Sequence, residues 1–128
     1  MIKLKRSDKF AIHLKFSLDD IENLINFFSQ ALSDQEKKLD IEYNKNVFYR
    51  KNVFKNGIFF VRKSNDELLT FKDNQVILHL EEDTIKYTIN KLNECISIKD
   101  FFPAEVTEIK ILNKNNDLYF ILETDIFK

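Results

Sequence analysis

Three short turn dipeptides constrain this chain more than any other feature of its sequence. Asn56-Gly57 is the strongest hairpin signal, because both central positions of a type I′ turn need a positive φ angle. Asn65-Asp66 and Asp73-Asn74 are weaker turns of the same kind. Together the three turns predict a four-stranded antiparallel meander. Its core face is expected to carry Val53, Ile58, Phe60, Leu69, Phe71, Val76, Leu78 and Leu80.

Alternating apolar and polar residues predict paired strands at both ends of the chain. Near the start, a three-residue turn sets Leu4 opposite Ile12 and keeps both side chains on one face. Near the end, a four-residue turn that begins at Asn113 sets Ile111 opposite Leu118. Each hairpin is expected to bury one face.

Two amphipathic helices are predicted between these strands. The first follows the N-cap residue Ser17 and ends between Ser33 and Leu39, and the second begins near Asp83. Their apolar stripes have the 3.6-residue spacing of a helix. The stripes are Leu18, Ile21, Leu24, Ile25, Phe28 and Leu32 in the first helix, and Ile85, Ile89, Leu92 and Ile96 in the second.

The predicted elements follow the order ββαββββαββ. This order indicates an α+β fold, with a mostly antiparallel sheet built around the four-stranded meander and both helices packed on one face. The length of 128 residues and the 44% hydrophobic content are typical of one globular core, so we expect residues 1–128 to form a single α+β domain.

The residues that most often perform catalysis or bind metals are few and scattered. His13, His79 and Cys95 show none of the spacings of a metal site or a nucleophile. The chain has one glycine, whereas a loop that cradles a phosphate needs several. Glu105 and Glu108 could act as an acid–base pair, although surface solubility explains such charges more simply. We therefore predict no catalytic residues, no metal ligands and no cofactor, and we expect the chain not to be an enzyme.

The charges are segregated along the chain. Residues 43–63 contain six basic and no acidic residues, whereas residues 66–108 contain ten acidic residues and four lysines. One alternative is therefore a module that binds single-stranded nucleic acid through the basic stretch, with aromatic rings as stacking platforms. Its rings are Phe48, Tyr49, Phe54, Phe59 and Phe60. The net charge of −1 disfavours this alternative.

The back face of the predicted meander is also apolar. The side chains expected there are Phe54, Phe59, Val61, Leu68, Ile77 and His79. Two helices on the opposite face cannot cover this one. The remaining strands would bury it, or it would form a structural homo-oligomer, such as a homodimer through Phe54, Phe59 and Val61.

In its size, its Asn/Lys/Ile-rich composition and the acidic run Glu81-Glu82-Asp83, the chain resembles the small immunity proteins that bacteria encode beside polymorphic or contact-dependent toxins. The resemblance implies a protein that binds a cognate toxin, such as a basic nuclease, and occludes its active site. Candidate partner-binding residues are Glu81, Glu82, Asp83, Asp100, Phe101, Phe102 and Glu105.

The resemblance implies a bacterial protein, and a reducing cytoplasm is the location that fits the sequence best. The sequence agrees with this expectation in two respects. Cys95 is the single cysteine and has no intramolecular disulfide partner. No stretch approaches the roughly 18 apolar residues of a membrane span, so we expect no association with membranes.

Overall fold

A computed structural model describes residues 1–124 as a closed barrel of eight strands with two helices. The strands are β1 (Ile2–Asp8), β2 (Ala11–Phe16), β3 (Leu39–Asn44), β4 (Phe54–Lys63), β5 (Leu68–Lys72), β6 (Gln75–Leu80), β7 (Glu105–Ile111) and β8 (Lys114–Leu122). The helices are α1 (Ile21–Leu32) and α2 (Glu82–Ile98). Short 3₁₀ turns form at Leu18–Asp20 and Lys45–Phe48.

The barrel is assembled from four antiparallel pairs of strands that are consecutive in the chain: β1–β2, β3–β4, β5–β6 and β7–β8. Neighbouring pairs join through parallel contacts, and the order around the barrel is β1-β2-β8-β7-β5-β6-β4-β3. The predicted α+β fold with a mostly antiparallel meander is therefore wrong. The strands β4 and β5 are not neighbours, because β6 lies between them.

The strand directions give the barrel two distinct ends. The connections within the four pairs all lie at one end, which we call the turn end. The connections between successive pairs, which include α1 and α2, lie at the opposite end, which we call the helix end. The two helices pack against each other there.

Helix α1 spans the mouth of the barrel at the helix end. Its Phe27 ring lies 5.0 Å from that of Phe59 in β4, and its Phe28 ring lies 6.0 Å from that of Phe120 in β8. These strands stand on opposite sides of the barrel, so the helix bridges its walls. All four rings are buried, and each contributes on the order of 1.5–3 kcal/mol of stability.

The inward face of β4 differs from the prediction. Phe59 and Val61 are buried inside the barrel, whereas Ile58 and Phe60 face outward and are half-buried. The dipeptide Asn56-Gly57 was expected to form a turn, but it lies within the strand and pairs with β3. The inward residues of β4 are therefore one position away from those predicted, which exchanges the two faces of the strand.

The other predicted turns had mixed outcomes. Asp73-Asn74 forms the β5–β6 turn, with both residues at positive φ. Asn65-Asp66 joins strands that do not pair. The β7–β8 turn is Leu112-Asn113 rather than a four-residue turn from Asn113, so Ile111 pairs with Lys114.

The β1–β2 hairpin and helix α2 each differ from the expected register. Leu4 pairs with Leu14 rather than with Ile12, because the chain turns at Lys9-Phe10, later than predicted. A bulge between Arg6 and Asp8 then shifts the register by one residue, so that Leu4 meets Leu14 and not Lys15. In α2, Cys95 is buried and Ile96 is exposed, although Ile96 was expected on the buried stripe.

Candidate functional site

The predicted partner-binding residues do not form one surface. Glu81, Glu82 and Asp83 lie at the start of α2, whereas Asp100, Phe102 and Glu105 follow its end. A helix of this length spans about 25 Å at 1.5 Å per residue. A partner would have to cover the full length of α2 to contact the acidic run together with Asp100 and Phe102. Glu105 lies nearer to the run, because the Glu67 carboxylate accepts from both the Glu81 backbone N–H and the hydroxyl of Thr107, which follows Glu105 by two residues on β7.

The acidic run at the start of α2 is partly neutralised by neighbouring lysines. The Glu82 carboxylate lies 3.1 Å from Lys86 Nζ and 3.9 Å from Lys63 Nζ. The Glu81 backbone N–H donates to the Glu67 carboxylate at 3.0 Å. Acidic residues at this position also stabilise the positive end of the helix. These contacts give the run a role within the fold.

The residues that follow α2 divide between the core and the surface. Phe101 is buried against Phe16 and Phe120, with ring centroids 6.1 Å and 5.2 Å away, so it cannot anchor a partner as predicted. Phe102 is 70% exposed. Asp100 and Glu105 are also exposed.

Two further apolar side chains are exposed shortly before Phe102 in the chain. Ile96 and Ile98, in the last turn of α2, are 52% and 55% exposed. We call residues 96–105 the α2 exit segment. Of its exposed apolar residues, Phe102 is a predicted partner-binding residue, whereas Ile96 is expected on the buried stripe of the second helix and Ile98 is not singled out by the sequence. The burial of Ile85, Thr88, Leu92 and Cys95 shows which face of the helix points inward.

The predicted homodimer surface is not available. Phe59 and Val61 point into the barrel and are buried, and Phe54 alone of the three is exposed. Strands β1, β3 and β8 complete the wall around them, which is the internal burial that was left open as an alternative.

The basic stretch 43–63 does not present a row of stacking platforms. Phe48 and Phe59 are buried. Arg62 forms an ion pair with Glu36, and Lys63 lies 3.4 Å from the Asp34 carboxylate. The geometry therefore offers little support for the single-stranded nucleic-acid alternative.

The three residues considered for catalysis or metal binding lie on separate elements. Burial and the positive charge of Lys15 lower the pKa of His13, and burial and Arg62 lower that of His79. Burial raises the pKa of the Cys95 thiol to about 11, and this thiol donates to the Asp100 carbonyl at 2.9 Å. No group of three potential metal ligands occurs within residues 1–124.

A cleft opens toward the turn end where β5 meets β7. The pairing of these strands is the single bridge between Leu68 and Lys110, whereas the other strand pairs share three to six residue pairs. The cleft has a volume of about 750 Å³. Its walls include Phe48, Phe71 and Leu112, together with Arg50. Sequence reasoning missed this feature because it placed β5 between β4 and β6.

A partly buried polar network holds the floor of the cleft in place. The Arg6 guanidinium donates to the backbone carbonyls of Asn46 and Val47 at 2.9 and 2.8 Å and also to the Asn116 side chain. Its charged carbon lies 4.1 Å from the centre of the Tyr49 ring, and the Tyr49 hydroxyl accepts from Asn116 at 2.9 Å. These contacts tie the 3₁₀ turn that carries Phe48 to β1 and β8.

Neither helix within residues 1–124 combines the length and the apolar character that crossing a bilayer requires. No protein-family model matches the chain, and no curated protein resembles it significantly in sequence.

Proposed function

We propose that this chain is a non-catalytic protein-binding domain, and specifically a bacterial cytoplasmic immunity protein that neutralises a cognate toxin by covering its active site. The α2 exit segment is the proposed contact surface. The observation that carries the proposal is the exposure of Ile96, Ile98 and Phe102 within seven consecutive residues. Large apolar side chains exposed together favour an interface over a free surface.

The chemistry of the segment favours a basic partner. Exposed Asp100 and Glu105 flank Phe102, and exposed Lys99 is the one cation of the segment, so the segment keeps a net negative charge around an aromatic side chain. Aromatic anchors at the centre of an interface supply much of its binding energy, and charges at the rim accelerate the encounter with an oppositely charged surface. A nuclease active site that binds phosphates has the required positive charge.

A growth assay tests the proposed function. The protein encoded by the neighbouring gene is expressed in bacteria with this chain, with its Phe102→Asp variant, or alone. We expect the neighbouring protein to stop growth, this chain to restore it, and F102D to lose the protection. Phe10→Asp, which changes an exposed ring at the turn end, is the matched control and should still protect. A harmless neighbour, or full protection by F102D, would contradict the proposal.

A binding measurement separates the two acidic groups. Reversing Asp100 and Glu105 to lysine should weaken binding of the purified neighbouring protein about tenfold, because each reversal places like charge against a basic surface. Reversing Glu81 and Asp83 at the far end of α2 should have little effect. Equal losses of affinity in the two double variants, or no loss in either, would contradict the assignment of the contact surface to the α2 exit segment.

A further inference from the structure

The geometry points to a second binding site, in which the cleft between β5 and β7 takes a small apolar carboxylate. We call this cleft the β5–β7 cleft. It lies toward the turn end, whereas the α2 exit segment lies at the helix end. Its occupancy can therefore be tested separately from the proposed toxin binding. Its volume of about 750 Å³ is within the range of small-molecule sites.

The opening exposes a side chain that belongs to the barrel interior. Phe71 pairs with Val76, which is fully buried, so both point inward. Phe71 is nevertheless 36% exposed, because β5 makes no further pair with β7 beyond Leu68. Its ring lies 4.9 Å from that of Phe48, and the two rings form an apolar floor. A ligand in the cleft would complete the wall at this point.

Two cations border this floor without an acidic partner. Arg50 and Lys110 line the cleft, and neither forms an ion pair with any carboxylate of residues 1–124. The Glu67 carboxylate, which also lines it, already accepts from the Thr107 hydroxyl at 2.6 Å and from the Glu81 backbone N–H at 3.0 Å. Asp66 also lines the cleft and likewise forms no ion pair within residues 1–124. The unpaired charges of the lining are thus two cations, Arg50 and Lys110, against one carboxylate, and this net positive charge favours an anion.

Leu112 provides an independent indication that the cleft is used. It occupies the first position of the β7–β8 turn at a φ of 49°, in the left-handed region that asparagine and glycine tolerate and leucine does not. Its side chain is also 65% exposed at the edge of the cleft. A leucine here strains the backbone and exposes apolar surface. Both costs are offset when a ligand packs against the side chain.

The probe is 4-phenylbutanoate, with the neutral 4-phenylbutanamide as its matched control. Titration of the full chain, followed by amide chemical shifts, should give saturable changes centred on Phe71 and Leu112 with the acid. The amide should bind at least about fivefold more weakly, because it lacks the charge that Arg50 and Lys110 pair with.

Two sets of variants sharpen the assignment. Replacing both Arg50 and Lys110 by glutamine should lower the affinity for 4-phenylbutanoate about tenfold. Lys51→Gln, next to Arg50 but outside the cleft lining, should not. Leu112→Asn should raise Tm by a few degrees, because asparagine tolerates the left-handed backbone conformation of the turn. The same variant should lower the affinity for 4-phenylbutanoate, because it removes the apolar contact with the ligand.

Three outcomes would overturn the site: no saturable shifts at Phe71 with the acid, equal affinity for acid and amide, or a concentration-dependent dimer of the chain that Leu112→Asn dissolves. The last result would show that a second copy, rather than a small ligand, covers the leucine.

Discussion

Gly57 lies where the inner wall of the barrel has room for a hydrogen atom but not for a methyl group. A Cβ atom at this position would lie 2.6 Å from the Asn74 carbonyl oxygen and 2.7 Å from Cε1 of Tyr43. The Tyr43 ring is buried, and its hydroxyl donates to the Asn74 side chain at 3.0 Å. The glycine thus allows the Tyr43 ring and the β5–β6 turn to approach β4.

Gly57→Ala is therefore expected to lower the free energy of unfolding by about 2–3 kcal/mol, because inserting a methyl group into a packed site forces neighbours to shift. Urea denaturation of the variant measures this loss. Asn56→Ala, on the exposed face of the same strand, is the control and should change stability by less than about 0.5 kcal/mol. Equal stability of G57A and the wild-type chain would show that Tyr43 does not pack against residue 57.

Cys95 is a second residue whose surroundings set a measurable property. Its thiol is buried in α2, and burial, followed by the nearby charges of Asp100 and Glu94, raises its pKa from 9.0 to about 11. The folded state therefore favours the neutral thiol. The stability that this provides is complete below pH 9, where the unfolded chain is also protonated, and it is lost between pH 9 and about pH 11.

We expect the free energy of unfolding to fall more steeply over that pH window in the wild-type chain than in Cys95→Ala. Parallel urea titrations of both proteins measure the difference, in which the lysine and tyrosine contributions cancel. The native thiol should also resist alkylation until the chain unfolds. Identical pH profiles, together with rapid alkylation of the native protein, would indicate an exposed thiol.

At the scale of elements, local signals located the helices and one turn. The spacing of Ile21, Leu24 and Phe28 matches the buried face of α1, and Asp73-Asn74 forms the expected turn. These features depend on residues close together in the chain. Helix propensity, capping and turn chemistry act over the same short range.

Local sequence patterns did not predict which face of β4 points inward or which residues after α2 are exposed. Asn-Gly is a strong hairpin signal, but Gly57 is needed for space rather than for a positive φ angle. Leucine is rare at a turn position that needs a positive φ angle, so the sequence predicts a four-residue turn over residues 113–116 rather than the observed two-residue turn at Leu112-Asn113. Phe101 and Phe102 are adjacent residues of the same type, so the sequence does not distinguish them. Phe101 is buried because it packs against Phe16, whereas Phe102 is exposed.

At the scale of the whole molecule, closure of the barrel decides which residues are available for binding. The parallel contacts between β2 and β8 join the two ends of the described chain, and no local sequence pattern predicts such a pairing. Closure buries the face of β4 that was expected to bind a partner. It leaves the α2 exit segment at one end and the β5–β7 cleft toward the other.

The most direct test is a map of interstrand nuclear Overhauser effects for the isotope-labelled chain. We predict contacts between the parallel strands β2 and β8, such as Leu14 with Phe120, and between β4 and β6, such as Phe59 with Val76. Contacts that instead connect β4 to β5 across an Asn65-Asp66 hairpin would contradict the barrel and both of the binding surfaces assigned to it.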